Sequence, residues 1–342
     1  PEGSTGLRSY YMANALARDG HEVIVITGSY DRAETSCQSF DEANSKCNGK
    51  ITVVCLPISA SNKDGFLKRI TTFVWYAFWA AIVGLRYPSD LVIATSTPLT
   101  AAIPGIFIKK MMQIPFIFEA RDLWPDAAIE MGSLTNPVLI KISQWLEKYT
   151  YRQANSCIAL APGIISAMKK RGGKNVHFIP NGASADHGIK KTTTQLRESE
   201  SPCAIYTGTL GKANNVKLLA DVCQELLRKG RPDITVTIMG DGSEKQKLLT
   251  MKEDRSLTNL RLHEPVAHSK LKKYYSQAFA GLLVMQDIKV FRQSTSPNKF
   301  FDYLAAGLPV VCSYDGWMAK LIKEYKCGLV IGDQDAEEFA NA

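Results

Sequence analysis

Short β-branched, apolar runs alternate with helix-length segments along the whole chain. Six such runs occur first, at residues 22–27, 51–57, 91–95, 115–119, 156–160 and 176–180. Six more follow at residues 204–207, 234–239, 260–263, 281–285, 309–313 and 328–331. Continuous apolar runs separated by helices are what buried parallel sheets require, so the pattern predicts twelve strands of that kind. Between the two series, residues 187–201 are polar and charged without apolar periodicity and read as a linker or mobile loop. The expected architecture is α/β, with two doubly wound domains facing a cleft, the first over residues 1–186 and the second over residues 202–342. A length of 342 residues exceeds one ordinary core and agrees with two. The chain starts abruptly in a loop-like stretch at Pro1 and stops at Ala342 in a helix-like one. Both ends therefore read as clipped, with the first strand of the sheet outside this numbering.

In doubly wound sheets ligands bind at the carboxyl ends of the strands, so the segments beside those ends carry the candidate chemistry. The most informative is Ser296-Pro297-Asn298-Lys299-Phe300-Phe301-Asp302, followed by Gly307 and the strand-opening Pro309. On a helix, Lys299 and Asp302 share a face because residues three apart are neighbours. Ser296 or Thr295 as N-cap with Pro297 at the first helical position would turn free amides and the positive dipole end toward a diphosphate. The competing reading is an ordinary helix with a surface lysine and an aspartate before a core strand.

Other strand ends add to this. Glu119-Ala120-Arg121-Asp122-Leu123-Trp124-Pro125-Asp126 places three carboxylates and an arginine at a rim. Arg121 can grip a phosphate or sugar oxygen by paired donors, and Glu119 or Asp122 can accept from a hydroxyl, unless these groups form an internal pair with Trp124 in the core. Glycine-rich turns at Glu2-Gly3-Ser4-Thr5-Gly6, Gly208-Thr209-Leu210-Gly211-Lys212 and Gly240-Asp241-Gly242 offer backbone amides, with Lys212 adding a charge, or serve only as turns. Pro180-Asn181-Gly182 reads as a turn, since Asn and Gly tolerate positive φ.

Taken in order, these segments resemble glycosyltransferase family 4, enzymes of the GT-B fold in which two Rossmann-like domains face a cleft. The family pattern is a Glu, seven residues, a second Glu and a Gly-x-Pro ending; Asp302 stands for the second Glu, and Ser294 occupies the place of the first. Gly20-His21-Glu22-Val23 matches the entry to the family's second strand. Arg121-Asp122-Leu123-Trp124-Pro125 resembles a branch that builds bacterial surface polysaccharides, including lipopolysaccharide, and contains fucosaminyltransferase-like enzymes. The family's usual cationic clamp is replaced by Thr209 and Asn214-Asn215, which moves the charge role to Lys299 with Lys212 or Arg292 assisting.

The resemblance implies a retaining transferase of hexosyl or N-acetylaminosugar groups, using a UDP-linked donor and a glycan or polyprenyl-diphosphate-linked acceptor, with no cofactor or metal. It implies catalytic roles for Lys299, Arg121, Asp122 and Glu119. Donor binding would fall to Gly6, Gly208, Thr209 and Lys212, to Gly240 and Gly242, to the backbone near Glu264 and Val266, and to Arg292, Ser296, Pro297, Asn298 and Asp302. Two rivals are a nucleotide-sugar 2-epimerase, which the scarcity of histidine disfavours, and a non-catalytic nucleotide-sugar-binding protein. A dinucleotide dehydrogenase lacks support because no Gly-x-Gly-x-x-Gly follows a strand with an acid about 20 residues on.

A net charge of +8 implies an anionic partner; the donor reading makes that partner a nucleotide, not nucleic acid. Eight cysteines without a Cys-x-x-Cys pair read as reduced, mostly buried thiols of a cytoplasmic protein, and no histidine stands at zinc-ligand spacing. Residues 66–86 hold Phe73, Trp75, Tyr76, Phe78 and Trp79 between Lys68-Arg69 and Arg86. This stretch is short for a membrane span and reads first as a buried helix. Lying on the inner face of the cytoplasmic membrane is its other reading, with Lys109-Lys110 adding to a basic rim.

Overall fold

The computed structural model describes residues 7–28, 49–59, 66–183 and 202–342. It divides into two compact units, Pro1–Pro180 and Asn181–Ala342. The linker expected at residues 187–201 lies outside the described residues.

The second unit is a six-stranded parallel sheet. Its strands are β7 (Cys203–Thr207), β8 (Thr235–Met239), β9 (Leu260–His263), β10 (Ala280–Leu283), β11 (Val310–Cys312) and β12 (Gly328–Val330), preceded in the first unit by six strands named below. Their spatial order is β12-β11-β10-β7-β8-β9. The sheet is wound in two directions from β7, so β7 and β10 flank the topological switch point where such sheets take ligands. Helices cover it because every residue of β8 and β10 is buried, leaving no face for water. Tyr206, Leu219, Ile238, Leu260, Leu282 and Phe339 belong to its core.

The first unit holds two sheets among the described residues. One pairs β1 (Val23–Gly28) with β2 (Ile51–Leu56) in parallel. The other orders β3 (Val92–Thr95), β4 (Phe116–Ala120), β5 (Ser156–Ala159) and β6 (Val176–Phe178) consecutively, also in parallel. Helix Ala102–Met112 lies close on this sheet through Gly105, where a Cβ would come 2.6 Å from the Phe116 ring. All twelve strands fall within a few residues of the apolar runs.

Three expectations need correction. The helix after Ser296 spans Asn298–Ala305 with Pro297 as its N-cap and no side-chain cap. Neither hydroxyl is available for capping: Thr295 Oγ1 donates to the Phe291 carbonyl at 2.8 Å, and Ser296 Oγ accepts from the Asn181 amide at 3.3 Å. Helix Phe66–Gly84 is not buried as a whole, since Val74, Trp75, Phe78 and Trp79 are exposed. Of the six described cysteines, only Cys157, Cys223 and Cys312 are buried, and burial pushes their thiols up to about 11, 12 and 12.

Helix Asn298–Ala305 is held at both ends. Gly307 takes φ +69°, which lets its amide reach Leu304 and the Leu308 amide reach Tyr303, both at 2.9 Å. At Gly281 of β10 a Cβ would meet the Tyr303 ring at 2.3 Å, so the missing side chain seats the helix on the sheet. Gly281→Val should therefore lower the stability of the protein by about 1–3 kcal/mol in urea denaturation, through overpacking; an unchanged midpoint would show that the helix is not seated this way.

Candidate functional site

Among the described residues, each unit holds a cluster of charged and polar groups at carboxyl ends of its strands. In the first unit the centre is Glu119, the penultimate residue of β4, with its side chain only 1% exposed. Such a carboxylate is costly to bury unless donors meet it. Arg8 Nε donates to it at 2.7 Å, Thr95 Oγ1 at 2.8 Å and Arg121 Nε at 3.4 Å. Arg8 comes from helix Leu7–Arg18 and also donates to the Ile179 and Pro180 carbonyls at 2.8 Å, so it ties helix, β4 and the chain beyond β6 together. Arg121 Nη2 donates to Ser9 Oγ at 2.7 Å. Asp122 is exposed and accepts from Thr97 Oγ1 at 3.4 Å. The third carboxylate of the motif, Asp126, turns away from this group and pairs with Arg171 at 2.5 Å. Arg171 also binds the buried Glu147, whose carboxyl burial pushes up to about 7 despite that partner.

In the second unit the centre is Lys299, in the first turn of helix Asn298–Ala305. Its Nζ lies 3.7 Å from the centroid of the Tyr206 ring. Gly208, at φ +135°, makes room for it: a Cβ there would stand 3.1 Å from Nζ. No carboxylate among the described residues pairs with this ammonium. Burial lowers Lys299 from 10.5 to about 7. Beside it Asp302 Oδ2 lies 3.2 Å from Nε2 of the buried His268, the first residue of helix His268–Gln277.

A buried tyrosine layer supports both groups. Tyr303 and Tyr275 meet edge to face at 5.5 Å. The Thr207 amide donates to Tyr303 Oη at 3.0 Å, and Thr207 Oγ1 shares a hydrogen bond with Tyr275 Oη at 2.9 Å. Tyr206 Oη donates to the Thr209 carbonyl at 2.9 Å and so shapes the loop after β7. That loop locks onto the loop after β8: the Gly208 amide donates to Met239 at 3.0 Å and the Leu210 amide to Asp241 at 2.9 Å. At Gly240 a Cβ would lie 1.9 Å from the Gly208 carbonyl, and at Gly242 it would lie 2.4 Å from that of Leu210.

The structure thus brings Gly208, Gly240, Gly242 and Lys299 into one packed unit, with Asp302 one helical turn on. Ser296, Pro297 and Asn298 form the entry to that helix. Thr209 and Lys212 are exposed in the adjoining loop. Arg292 is engaged elsewhere, forked onto Asp287 by two 2.6 Å bonds. Glu264 is exposed and paired with Lys245 at 2.5 Å, next to half-buried Val266. Gly6 lies outside the described residues. Sequence reasoning missed Arg8, Thr95, His268 and the three tyrosines; only Tyr206 and Tyr303 stood beside recognised motifs.

Two α/β units built on parallel sheets, each with a polar cluster at strand ends, define the class of GT-B proteins. Comparison with known proteins names the family. The sequence pattern described as "Glycosyl transferase 4-like domain" matches residues 3–182, and "Glycosyl transferases group 1" matches residues 190–342. The chain belongs to this glycosyltransferase family. Among curated proteins none matches it by sequence. Solved structures of the same fold include WaaG, a glycosyltransferase involved in lipopolysaccharide biosynthesis, with a TM-score of 0.70, 15% identity, and coverage of 100% of this chain and 86% of that one. Sucrose-phosphate synthase from Thermosynechococcus elongatus gives 0.67 at 14% identity, covering 94% and 88%. HepE of Anabaena, in complex with UDP, gives 0.61 at 13% identity, covering 94% and 88%.

The state of Lys299 has a measurable effect on stability. The unfolded chain holds its proton to about 10.5, whereas the folded protein releases it above about 7. Between those values the unfolded state binds more protons, so stability rises with pH. Denaturation at about pH 6.5 and about pH 8.5 should show wild type gaining stability relative to Lys299→Met as pH rises; parallel behaviour would mean the lysine is not desolvated.

Proposed function

We propose that the protein is a retaining glycosyltransferase that moves a sugar from a UDP-linked donor to a glycan or lipid-linked saccharide during bacterial surface polysaccharide synthesis, without a metal. The observation that carries this is Lys299: a half-buried cation over an aromatic ring, with no carboxylate partner among the described residues, at a helix N-terminus. A group so placed is satisfied by an incoming anion. UDP in the complex of HepE, a protein of this fold, favours uridine diphosphate as that anion.

In this reading the Asn298 and Lys299 amides and the Lys299 ammonium stabilise the diphosphate as it departs and gains charge. Asp302 takes the ribose hydroxyls, oriented by His268. The loops at Gly208 to Lys212 and Gly240 to Gly242 approach the donor with their backbones, and residues 264–266 face the base. Arg292 assists only if Asp287 releases it. In the first unit Arg121 and Asp122 orient the acceptor hydroxyl, and Glu119, already saturated by donors, acts as a positioning residue. The acceptor oxygen bonds to the anomeric carbon on the face from which the diphosphate leaves, the anomeric carbon–oxygen bond breaks, and the hydroxyl proton passes to a departing phosphate oxygen. The Arg121 to Pro125 motif favours the fucosaminyltransferase-like branch, and the likeness to WaaG favours a lipopolysaccharide or related product. An acceptor on polyprenyl diphosphate would draw the enzyme to the inner membrane face.

Calorimetry with uridine, guanosine and adenosine diphosphates tests the donor site: UDP should bind selectively, and Asp302→Ala should abolish that selectivity. Absence of all nucleotide binding would overturn the transferase reading. Lys299→Ala should reduce turnover by about 100-fold or more while weakening nucleotide binding far less, and a chelator should leave turnover unchanged. Equal small effects on both would remove Lys299 from the chemistry. A nucleotide sugar carries no titrating phosphate near neutrality, so its affinity should fall above about pH 7 as Lys299 loses its proton.

A further inference from the structure

Three helices of the first unit present apolar side chains to solvent. Helix Phe66–Gly84 exposes Val74, Trp75 and Phe78, helix Ala102–Met112 exposes Ile103, Phe107 and Met111, and helix Pro137–Gln153 exposes Val138, Ile142 and Trp145. In the second and third helices these residues recur three or four apart, and in the first Val74 and Trp75 both stand at that spacing from Phe78, so each helix carries a stripe. The exposures are large for such side chains, at 54% for Trp75, 61% for Met111 and 62% for Trp145. Trp75, Phe78 and Trp79 also cluster together with centroids 5.7–5.9 Å apart.

The three helices are neighbours. At Gly84 a Cβ would meet Ile108 at 2.4 Å, which brings the first two helices together. Lys110 donates to Tyr149 Oη at 2.8 Å across the second and third, and Tyr149 stacks on Trp145 at 5.3 Å. The charges on this face have one sign. Lys68, Arg69, Lys110, Lys141 and Lys148 are exposed, and the sole acid in the three helices, Glu147, is buried.

We propose that this three-helix face docks on an anionic lipid bilayer. The proposal deepens the lipid-linked acceptor reading and extends the contact from residues 66–86 to the helices that follow. A bilayer surface offers apolar depth for Trp75, Phe78, Phe107 and Trp145 and phosphates for the lysines and Arg69, which is the chemistry of an interfacial protein. A second copy fits poorly, because a two-fold contact would set cations against cations. No helix among the described residues is long and apolar enough to cross the membrane, so the contact is one of surface.

The test is co-sedimentation of the whole chain with phosphatidylcholine vesicles, with and without phosphatidylglycerol, at low and high salt, alongside sedimentation velocity without lipid. Binding should require phosphatidylglycerol and weaken with salt. A Trp75→Ser, Phe78→Ser, Trp145→Ser variant and a Lys68→Gln, Arg69→Gln, Lys141→Gln variant should each lose about tenfold in vesicle affinity while keeping wild-type UDP affinity. Equal binding to both vesicles, binding to neither, or a dimer that the same substitutions dissociate would overturn the proposal. UDP affinity is read separately, so failure of the donor site and failure of the membrane face are distinguishable.

Discussion

The Lys299 ammonium stands 3.7 Å above the Tyr206 ring, and burial has pushed it down to about 7. A cation–π contact of this kind returns about 2 kcal/mol when desolvated, against several kcal/mol for taking an ion out of water. The difference is borne by the fold around it. Gly208 leaves the space, the loop after β8 braces Gly208, and Gly281 lets Tyr303 seat the helix that carries the lysine. Each of those features would be dispensable in a sheet that merely packed; together they hold a cation at the switch point between β7 and β10.

The first unit treats charge in the opposite way. Glu119 is removed from water more completely than the half-buried Lys299, yet Arg8, Thr95 and Arg121 meet it with donors. That carboxylate is already met by two guanidiniums and a hydroxyl within the fold. Lys299 has no such compensation among the described residues. An unpaired cation beside a helix N-terminus and a satisfied network at a strand end are opposite electrostatic arrangements, and under the proposed function the first receives an anion and the second a hydroxyl.

Departures from the family pattern make sense in these terms. Ser294, in the place of the first Glu, is buried at the end of helix Lys289–Ser294. Thr209 cannot supply the cation usual in that loop, and Arg292 is turned onto Asp287. With those cations absent or occupied, Lys299 is left as the charge at the first turn of its helix, and His268 supplies Asp302 with a partner that no motif announced.

The twelve strands, their parallel arrangement and the loops at their ends were legible in the chain because apolar runs and glycine turns are local signals. Helix Asn298–Ala305 was legible as well, but its start was not: Thr295 and Ser296 are good caps in isolation, and tertiary partners took their hydroxyls. Helix Phe66–Gly84 misled for a related reason, since an apolar composition does not say whether anything lies against it. Sequence alone therefore determined the fold class and the residue types at the strand ends. Only the tertiary structure decided which of those charges are neutralised, which are desolvated and which apolar faces stay open, because pairing and burial depend on distances between residues such as Arg8 and Glu119, or Tyr206 and Lys299, that lie far apart along the chain.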